Sequence, residues 1–301
     1  MTAALIIASG RTARKGNFEP LAEVGTIPAI QRIVVIFQQA HIERIVVVCD
    51  NDKKEKLAAH MNVVYLPGSG EAEMLDNVKT GLNYLADKCS SVVITHVNVP
   101  LFSVETVRAL LAADSPVNVP SHSGKAGHPL LLRSEGFNAI LSYSGDGGLA
   151  GALEASGLRQ NPVNVEDEGI LVNVHYEKSY EHLVKGDNIM AIRPDIKIRI
   201  NREKPFYGPG THQLLQLTME TGSLFDACRH MGISYSKGRK IITLMEQQLG
   251  YPILESKKGG TTGGYSTVTE KGKELFFNYS EFCREAKQSV GELFQKYFTL
   301  S

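Results

Sequence analysis

The chain has no apolar run approaching the roughly 18 uninterrupted residues that a membrane-spanning helix needs. It is also poor in cysteine: Cys49, Cys89, Cys228 and Cys283 are scattered, with no CxxC pair. That spacing excludes a cysteine-built zinc module and a disulfide scaffold, and it points to a reducing, cytoplasmic setting. A basic leader is missing as well. The opening MTAALIIASG passes directly into strand-like sequence, so no signal peptide is expected. Neither sign of charge is in excess, with 32 Lys+Arg against 32 Asp+Glu. The balance is nevertheless uneven: from Ala191 onward 16 Lys+Arg face 11 Asp+Glu, and the earlier residues carry the compensating acidic excess. Such a split suggests two domains with different partners, nucleic acid being sought on the basic one.

What is present is globular. The 301 residues are 43% apolar and 21% charged, enough for one large domain or two ordinary ones. AALIIAS, RIVVVCD, VVYLPG and SVVITHVNVP are continuous apolar runs, as expected of strands buried on both faces. Between them PAIQRIVVIFQQAHI, KKEKLAAHM and MLDNVKTGLNYLADK read as helices, and SVETVRALLAAD as a further one capped by Ser103. Alternation of this kind predicts an α/β, doubly wound, mostly parallel sheet over residues 1–188. KGDNIMAIRPD looks like the link to a second domain, residues 189–301. There, helical segments break at Gly222 and at Gly232–Ile233, the spacing of a helix-turn-helix. ILESKKGGTTGGYSTVTEKG reads as a hairpin with a glycine-rich, basic tip, a wing. A long final helix starts near Thr269. Its residues Phe276, Tyr279, Cys283, Ala286, Val290, Leu293 and Tyr297 recur at steps of three and four. That is a heptad seam, either packed on its own domain or pairing two copies; DNA-binding modules of this size commonly work in pairs.

After the first strand comes ASGRTARKG. Gly10 and Gly16, with Arg11, Arg14 and Lys15, can offer backbone N–H groups and cations to phosphates. Open α/β sheets bind ligands at this strand end. IIASGRTARKGNFEPLAEVGTIPAIQRIV resembles the signature of MobA-like nucleotidyltransferases, which join GTP or CTP to the molybdenum cofactor; Ala8, Ser9, Gly10, Arg14, Gly16, Leu21, Gly25 and Pro28 fall on it. EMLDNVKTGL (Met74, Asn77, Gly81, Leu82), VPLFSVETVRALL, GHPLLL (Gly127, His128, Pro129) and LSYSGDGGLAGAL resemble later landmarks in order, over nearly all of residues 1–185. The resemblance implies a nucleotide-diphospho-sugar-transferase-like Rossmannoid fold. It implies nucleotide contacts from Ser9, Gly10, Arg11, Arg14, Gly16, Asn77 and His128.

The family's reaction needs positive charge over the phosphates and a metal held by carboxylates. The resemblance places Glu19 where the family has a loop lysine, Asn98 where it has the aspartate of a D-x-P motif, and Asn173 and His175 where it has late aspartates. Three such replacements predict weakly held Mg²⁺ and little turnover, in a cleft that can still bind CTP or GTP as a sensor. The alternative is a metal held instead by Asp50, Asp52 and Asp146, in loops at the same sheet end.

The second domain resembles the winged helix of molybdate-responsive, LysR-like regulators of the ModE type. Glu220 to Ser223, Ala227, Gly232, Ser234, Tyr235, Pro252, the glycines at 259, 260, 263 and 264, Thr269 and Gly272 carry the match. Ser223 is expected to cap the second helix, with Asp226 helping to hold its first turn, and Ala227 to let helices cross closely. The third helix should start at Ser234 and present Tyr235, Lys237, Arg239 and Lys240 to bases, with Lys257 and Lys258 on phosphates. Gly238, costing roughly 1 kcal/mol within a helix, suggests close approach. These readings imply a homodimeric, cytoplasmic regulator that binds double-stranded DNA and senses a nucleotide or molybdopterin-type ligand. The alternatives are an active cytidylyl- or guanylyltransferase controlling its own operon, or domains used only for protein contacts.

Overall fold

The computed structural model describes residues 1–9, 20–50, 63–69, 72–176, 180–185, 194–257 and 265–298. Gly10, Arg11, Arg14, Lys15, Gly16 and Glu19 lie outside these, as do Asp52, the KKEKLAAHM segment, much of the link, Lys258 and the wing glycines. The chain divides into two compact units, Met1–Ala191 and Ile192–Ser301.

In the first unit the strands are Thr2–Ile7 (β1), a short pair Glu23–Val24 (β2) and Ile27–Pro28 (β3), Arg44–Cys49 (β4), Val64–Pro67 (β5) and Ser91–His96 (β6). Val117–His122 (β7), Lys125–Ala126 (β8), Leu130–Arg133 (β9) and Gln160–Asn164 (β10) follow. The main sheet has the order β10-β7-β9-β6-β1-β4-β5, with β8 paired to β7. β6, β1, β4 and β5 are mutually parallel, as their continuous hydrophobicity predicts. β9 runs antiparallel to both β6 and β7. Its direction follows from its connection: the chain between His122 and Leu130 is too short for the dozen or more residues of a parallel crossover.

Helices Ala29–Gln39 (α1), Met74–Leu85 (α2), Val104–Ala112 (α3), Phe137–Ser142 (α4), Gly148–Ala155 (α5) and Glu181–Lys185 (α6) complete the unit. α1 buries Ile30, Ile33, Val34 and Phe37, and α3 buries Val107 and Leu110, in one core with Ala4, Ile6, Val47 and Val93. The opposite face takes α2, which packs with α4 and α5. A Cβ at Gly81 would lie 2.2 Å from Leu5 Cδ1, so this glycine lets α2 sit directly on β1. Ser103 caps α3 as expected, accepting from the Thr106 amide at 3.1 Å. Asp167 then ties that helix start to a 3₁₀ turn at Glu168–Leu171, accepting from the amides of Ser103 at 2.7 Å and Gly169 at 3.0 Å.

The second unit comprises Ile200–Asn201 (β11), Pro205–Tyr207 (β12), Pro209–Thr221 (α7), Leu224–His230 (α8), Tyr235–Leu249 (α9), Leu254–Lys257 (β13), Tyr265–Val268 (β14) and Glu270–Phe298 (α10). Gly222 and Gly232, both at φ 65°, make the two breaks, a left-handed conformation that favours glycine. Ser223 caps α8 through the Asp226 amide at 3.2 Å. Ser234 is the cap of α9 rather than its first residue, because its hydroxyl accepts from the Lys237 amide at 3.2 Å. Ala227 is fully buried, and the close approach expected of Gly238 is to its neighbour on α8: a Cβ on Gly238 would fall 2.2 Å from Cys228 Sγ. β13 and β14 form an antiparallel pair, and Glu246 of α9 accepts from the amides of Ile253 and Leu254 at its base.

The root of α10 is fixed by an aromatic joint. His212 stacks on Phe276 at 4.1 Å, and its ring nitrogens meet the Tyr207 hydroxyl at 3.1 Å and Ser280 Oγ at 3.2 Å. Tyr279, 4% exposed, donates to the Ile198 carbonyl at 2.8 Å. The first members of the heptad seam are thus spent inside their own unit. No described residue of α10 beyond Tyr279 is buried, and Leu293 and Tyr297 are exposed.

Gly238→Ala should lower the stability of the second unit, although it raises helix propensity by about 1 kcal/mol, because overpacking costs about 1–3 kcal/mol. Adding Cys228→Ala removes the obstructing sulfur and should recover most of the loss. Chemical denaturation of the two variants checks this; an undiminished Gly238→Ala midpoint would mean that the helices part without cost.

Candidate functional site

The carboxyl ends of the parallel strands converge at one edge, where backbone bonds continue beyond the strands. Ala8 donates to the Val48 carbonyl at 2.9 Å, Gly68 to Cys49 at 2.8 Å and Val97 to Ile7 at 3.0 Å. The stems of the loops after β1, β4, β5 and β6 are therefore rigid. Ser9 Oγ donates to Asp50 Oδ1 at 2.7 Å. A Cβ on Gly68 would lie 2.8 Å from Ser9 Oγ, so the loop after β5 passes as bare backbone. Asn77, 2% exposed, gives both ends of its amide to Ser69: Oδ1 accepts from its N–H at 3.1 Å and Nδ2 donates to its carbonyl at 3.2 Å. Expected as a nucleotide contact, Asn77 acts on the loop: it fixes Ser69.

Two distant stretches meet beside β6. The Val174 amide donates to the Asn98 carbonyl at 2.9 Å, and Asn173 Oδ1 accepts from the His175 amide at 3.1 Å. Asn98, Asn173 and His175 are thus gathered at one place, and none carries a negative charge. Hard Mg²⁺ prefers anionic oxygen ligands. Asp50 accepts from Ser9, and Asp146 is exposed on the loop before α5. Among the described residues no three His, Cys, Asp or Glu side chains come together as a metal site. The described residues do not fit a carboxylate-held Mg²⁺.

The sequence reading missed His96. Continuing the β6–β9 register, in which Ile94 faces Leu130, brings His96 opposite His128. The two rings lie edge to face, their centroids 6.2 Å apart at 71°. His96 Nε2 and His128 Nδ1 are sealed from solvent and have no hydrogen-bond partner. The backbone of His128 is held by its amide, which donates to the Ile170 carbonyl at 2.9 Å. Desolvation lowers the pKa of both imidazoles, that of His96 to about 3 with a further contribution from His128. The available signal was a strand-terminal histidine in THVNVP, with a second histidine at the start of the strand that pairs with it.

In the second unit, Ser234, Tyr235, Lys237, Arg239 and Lys240 are exposed at the start of α9, while Gly238, Ile242 and Met245 are buried on its other side. Tyr235, Ser236, Arg239, Lys240, Thr243 and Gln247 line an open groove of about 500 Å³. Among the described residues neither Lys237, Arg239 nor Lys240 is in an ion pair. Lys257 ends β13. None of the four cysteines is in a disulfide. Among the described residues no helix is long and apolar enough to cross a membrane.

A family model described as a MobA-like NTP transferase domain matches residues 4–162. Among solved structures, a nucleotidyl transferase from Methanothermobacter (Mth528) has a TM-score of 0.53 at 18% identity, covering 62% of this chain and 99% of its own. Rv0371c from Mycobacterium tuberculosis H37Rv gives 0.51 at 16% identity, covering 62% of this chain and 98% of its own. At such identities the likeness is one of fold. The molybdenum-pterin-binding protein MopA of Rhodobacter capsulatus is 27% identical over 89 residues, 30% of this chain and 34% of its own length. The chain thus spans about a third of that curated relative.

Because folding lowers the His96 pKa from 6.5 to about 3, the unfolded chain binds the extra proton between those values. Stability should therefore fall as pH drops through that window, and His96→Phe should flatten the fall. The His96 ring signals in NMR should remain those of a neutral imidazole at pH 5; a midpoint near 6.5 would contradict the burial.

Proposed function

This chain belongs to the family of MobA-like NTP transferase domains, and on that premise we propose that it is a DNA-binding transcriptional regulator. Its first domain binds a nucleotide or a molybdenum-cofactor-type ligand, with catalysis lost or reduced. One observation carries the loss of turnover. The hydrogen bond from Val174 to Asn98 sets side by side two positions where the resemblance expects carboxylates, and both are neutral. Removing a preorganised charge of this kind typically costs about 3–4 kcal/mol of transition-state stabilisation. Binding survives that loss, because it draws on the loop stems, on Ser69 as fixed by Asn77, on His128, and on Gly10, Arg11, Arg14 and Gly16 as a phosphate cradle.

The second domain reads as a winged helix: α8, the Gly232 turn and α9 as the helix-turn-helix, and β13–β14 as the wing. Uncompensated cations at the exposed start of α9 support DNA contact, since the first turns of a recognition helix reach base edges. The exposed end of the α10 seam supports a homodimer. Cysteines outside disulfides suit a reducing cytoplasm. The domain boundary at residue 188 is part of this reading. Family membership favours a second one: an active cytidylyl- or guanylyltransferase for the molybdenum cofactor, carrying a DNA-binding domain for self-regulation.

A pyrophosphate-release assay with CTP or GTP, Mg²⁺ and molybdopterin separates the two. The regulator reading expects no turnover above background while calorimetry detects ligand binding; robust turnover would sink it. In gel shifts on upstream DNA, Arg239→Ala should weaken specific binding by about 1–3 kcal/mol, whereas Lys258→Ala should weaken all sequences alike and reduce the salt slope by about one. Unchanged binding in both variants would remove α9 from the interface.

A further inference from the structure

At the end of β6, where Asn98 and Asn173 are neutral, two imidazoles each keep a buried nitrogen without a hydrogen-bond partner. A buried nitrogen without a partner is costly, and native structures rarely leave one unexplained. Here there are two on rings packed edge to face, His96 Nε2 and His128 Nδ1. Burial keeps both rings neutral, so each retains a lone pair. Neutral imidazole suits zinc, copper, iron and nickel, whereas magnesium wants oxygen.

The spacing permits a shared ion. With a metal–nitrogen distance of about 2.1 Å and a nitrogen about 1.1 Å from its ring centre, two imidazoles on one ion have centroids at most about 6.4 Å apart. The observed 6.2 Å lies inside that limit. A tetrahedral angle needs about 5 Å, an approach of roughly 1 Å by side-chain rotation. Both residues hang from fixed backbone: His96 ends a strand paired to β1, and the His128 amide is bonded to Ile170.

We propose that His96 and His128 form a two-imidazole seat for a borderline divalent metal ion of the Zn²⁺, Co²⁺ and Ni²⁺ class, its other positions taken by water or by oxygens of a bound ligand. The ion would place positive charge at the strand end where the resemblance expects a carboxylate-held metal. The seat is defined by protein nitrogens alone and stands whether or not the cleft takes a nucleotide.

The test uses the full chain, stripped of metal by a chelator. Calorimetric titration with Zn²⁺ should show one equivalent binding at micromolar affinity or tighter, and Mg²⁺ should give no heat. Co²⁺ should produce a visible absorption band that Zn²⁺ abolishes. His96→Ala and His128→Ala should each weaken Zn²⁺ binding at least tenfold. If either variant fails to fold, NMR of the wild type decides: Zn²⁺ should shift the ring signals of His96 and His128 before those of other histidines. Absence of stoichiometric Zn²⁺ or Co²⁺ binding overturns the proposal. So does binding that survives both substitutions, or ring shifts confined to other histidines.

Discussion

Strand β6 is paired on both sides, in parallel with β1 from Ser91 to His96 and in antiparallel with β9 from Ser91 to Ile94. A strand paired on two edges and buried on both faces cannot slip by one residue without breaking both ladders and exchanging the side chains packed on its two faces. Thr95 and Val93 must stay in the core, so His96 must stay at the rim, and Asn98 just beyond it. The segment around Ile170 to Val174 then has fixed carbonyls and amides to dock on, at His128 and at Asn98. The site is in this sense a by-product of sheet register: three stretches far apart in sequence meet because backbone groups at one strand end have to be satisfied.

The same logic separates scaffold from chemistry. Ser9, Asp50, Ser69 and Asn77 hydrogen-bond to one another in pairs, and Asp167 gives both carboxylate oxygens to backbone amides. These polar groups spend their hydrogen-bonding capacity on loop geometry. Among the described residues there, His96 Nε2 and His128 Nδ1 stay without hydrogen-bond partners. The loop stems are held by hydrogen bonds while Asn98 and Asn173 leave the end of β6 without the charges the resemblance implies.

Much of this was legible in sequence. Continuous apolar strands give a sheet covered on both faces, and β1, β4, β5 and β6 lie where their hydrophobic runs are. Ser103 and Ser223 announce their helices because a hydroxyl followed by a helical pattern has a specific backbone amide to satisfy. Gly222 and Gly232 mark breaks for a similar reason. The antiparallel sense of β9 was less visible, since Leu130 to Arg133 is apolar either way and only the short connection decides. The place of Asn77 follows from motif spacing, but the direction of its amide, toward Ser69, does not. His96 was missed because only strand pairing puts it across from His128. Gly238 carried a clear cost in helix propensity, but the atom it makes room for, Cys228 Sγ, belongs to another helix.

The 29 residues of α10 rise about 1.5 Å each, making a rod of about 43 Å. Its buried contacts end at Tyr279, so some 27 Å of helix extends past the aromatic joint of His212, Phe276 and Tyr279. Joint and rod together have the proportions of a lever. A tilt of about 10° at the fulcrum carries the far end through about 5 Å, comparable to one helical turn. The stacking angle of one histidine ring in the second unit therefore sets, at high gain, where the last turns of the chain point.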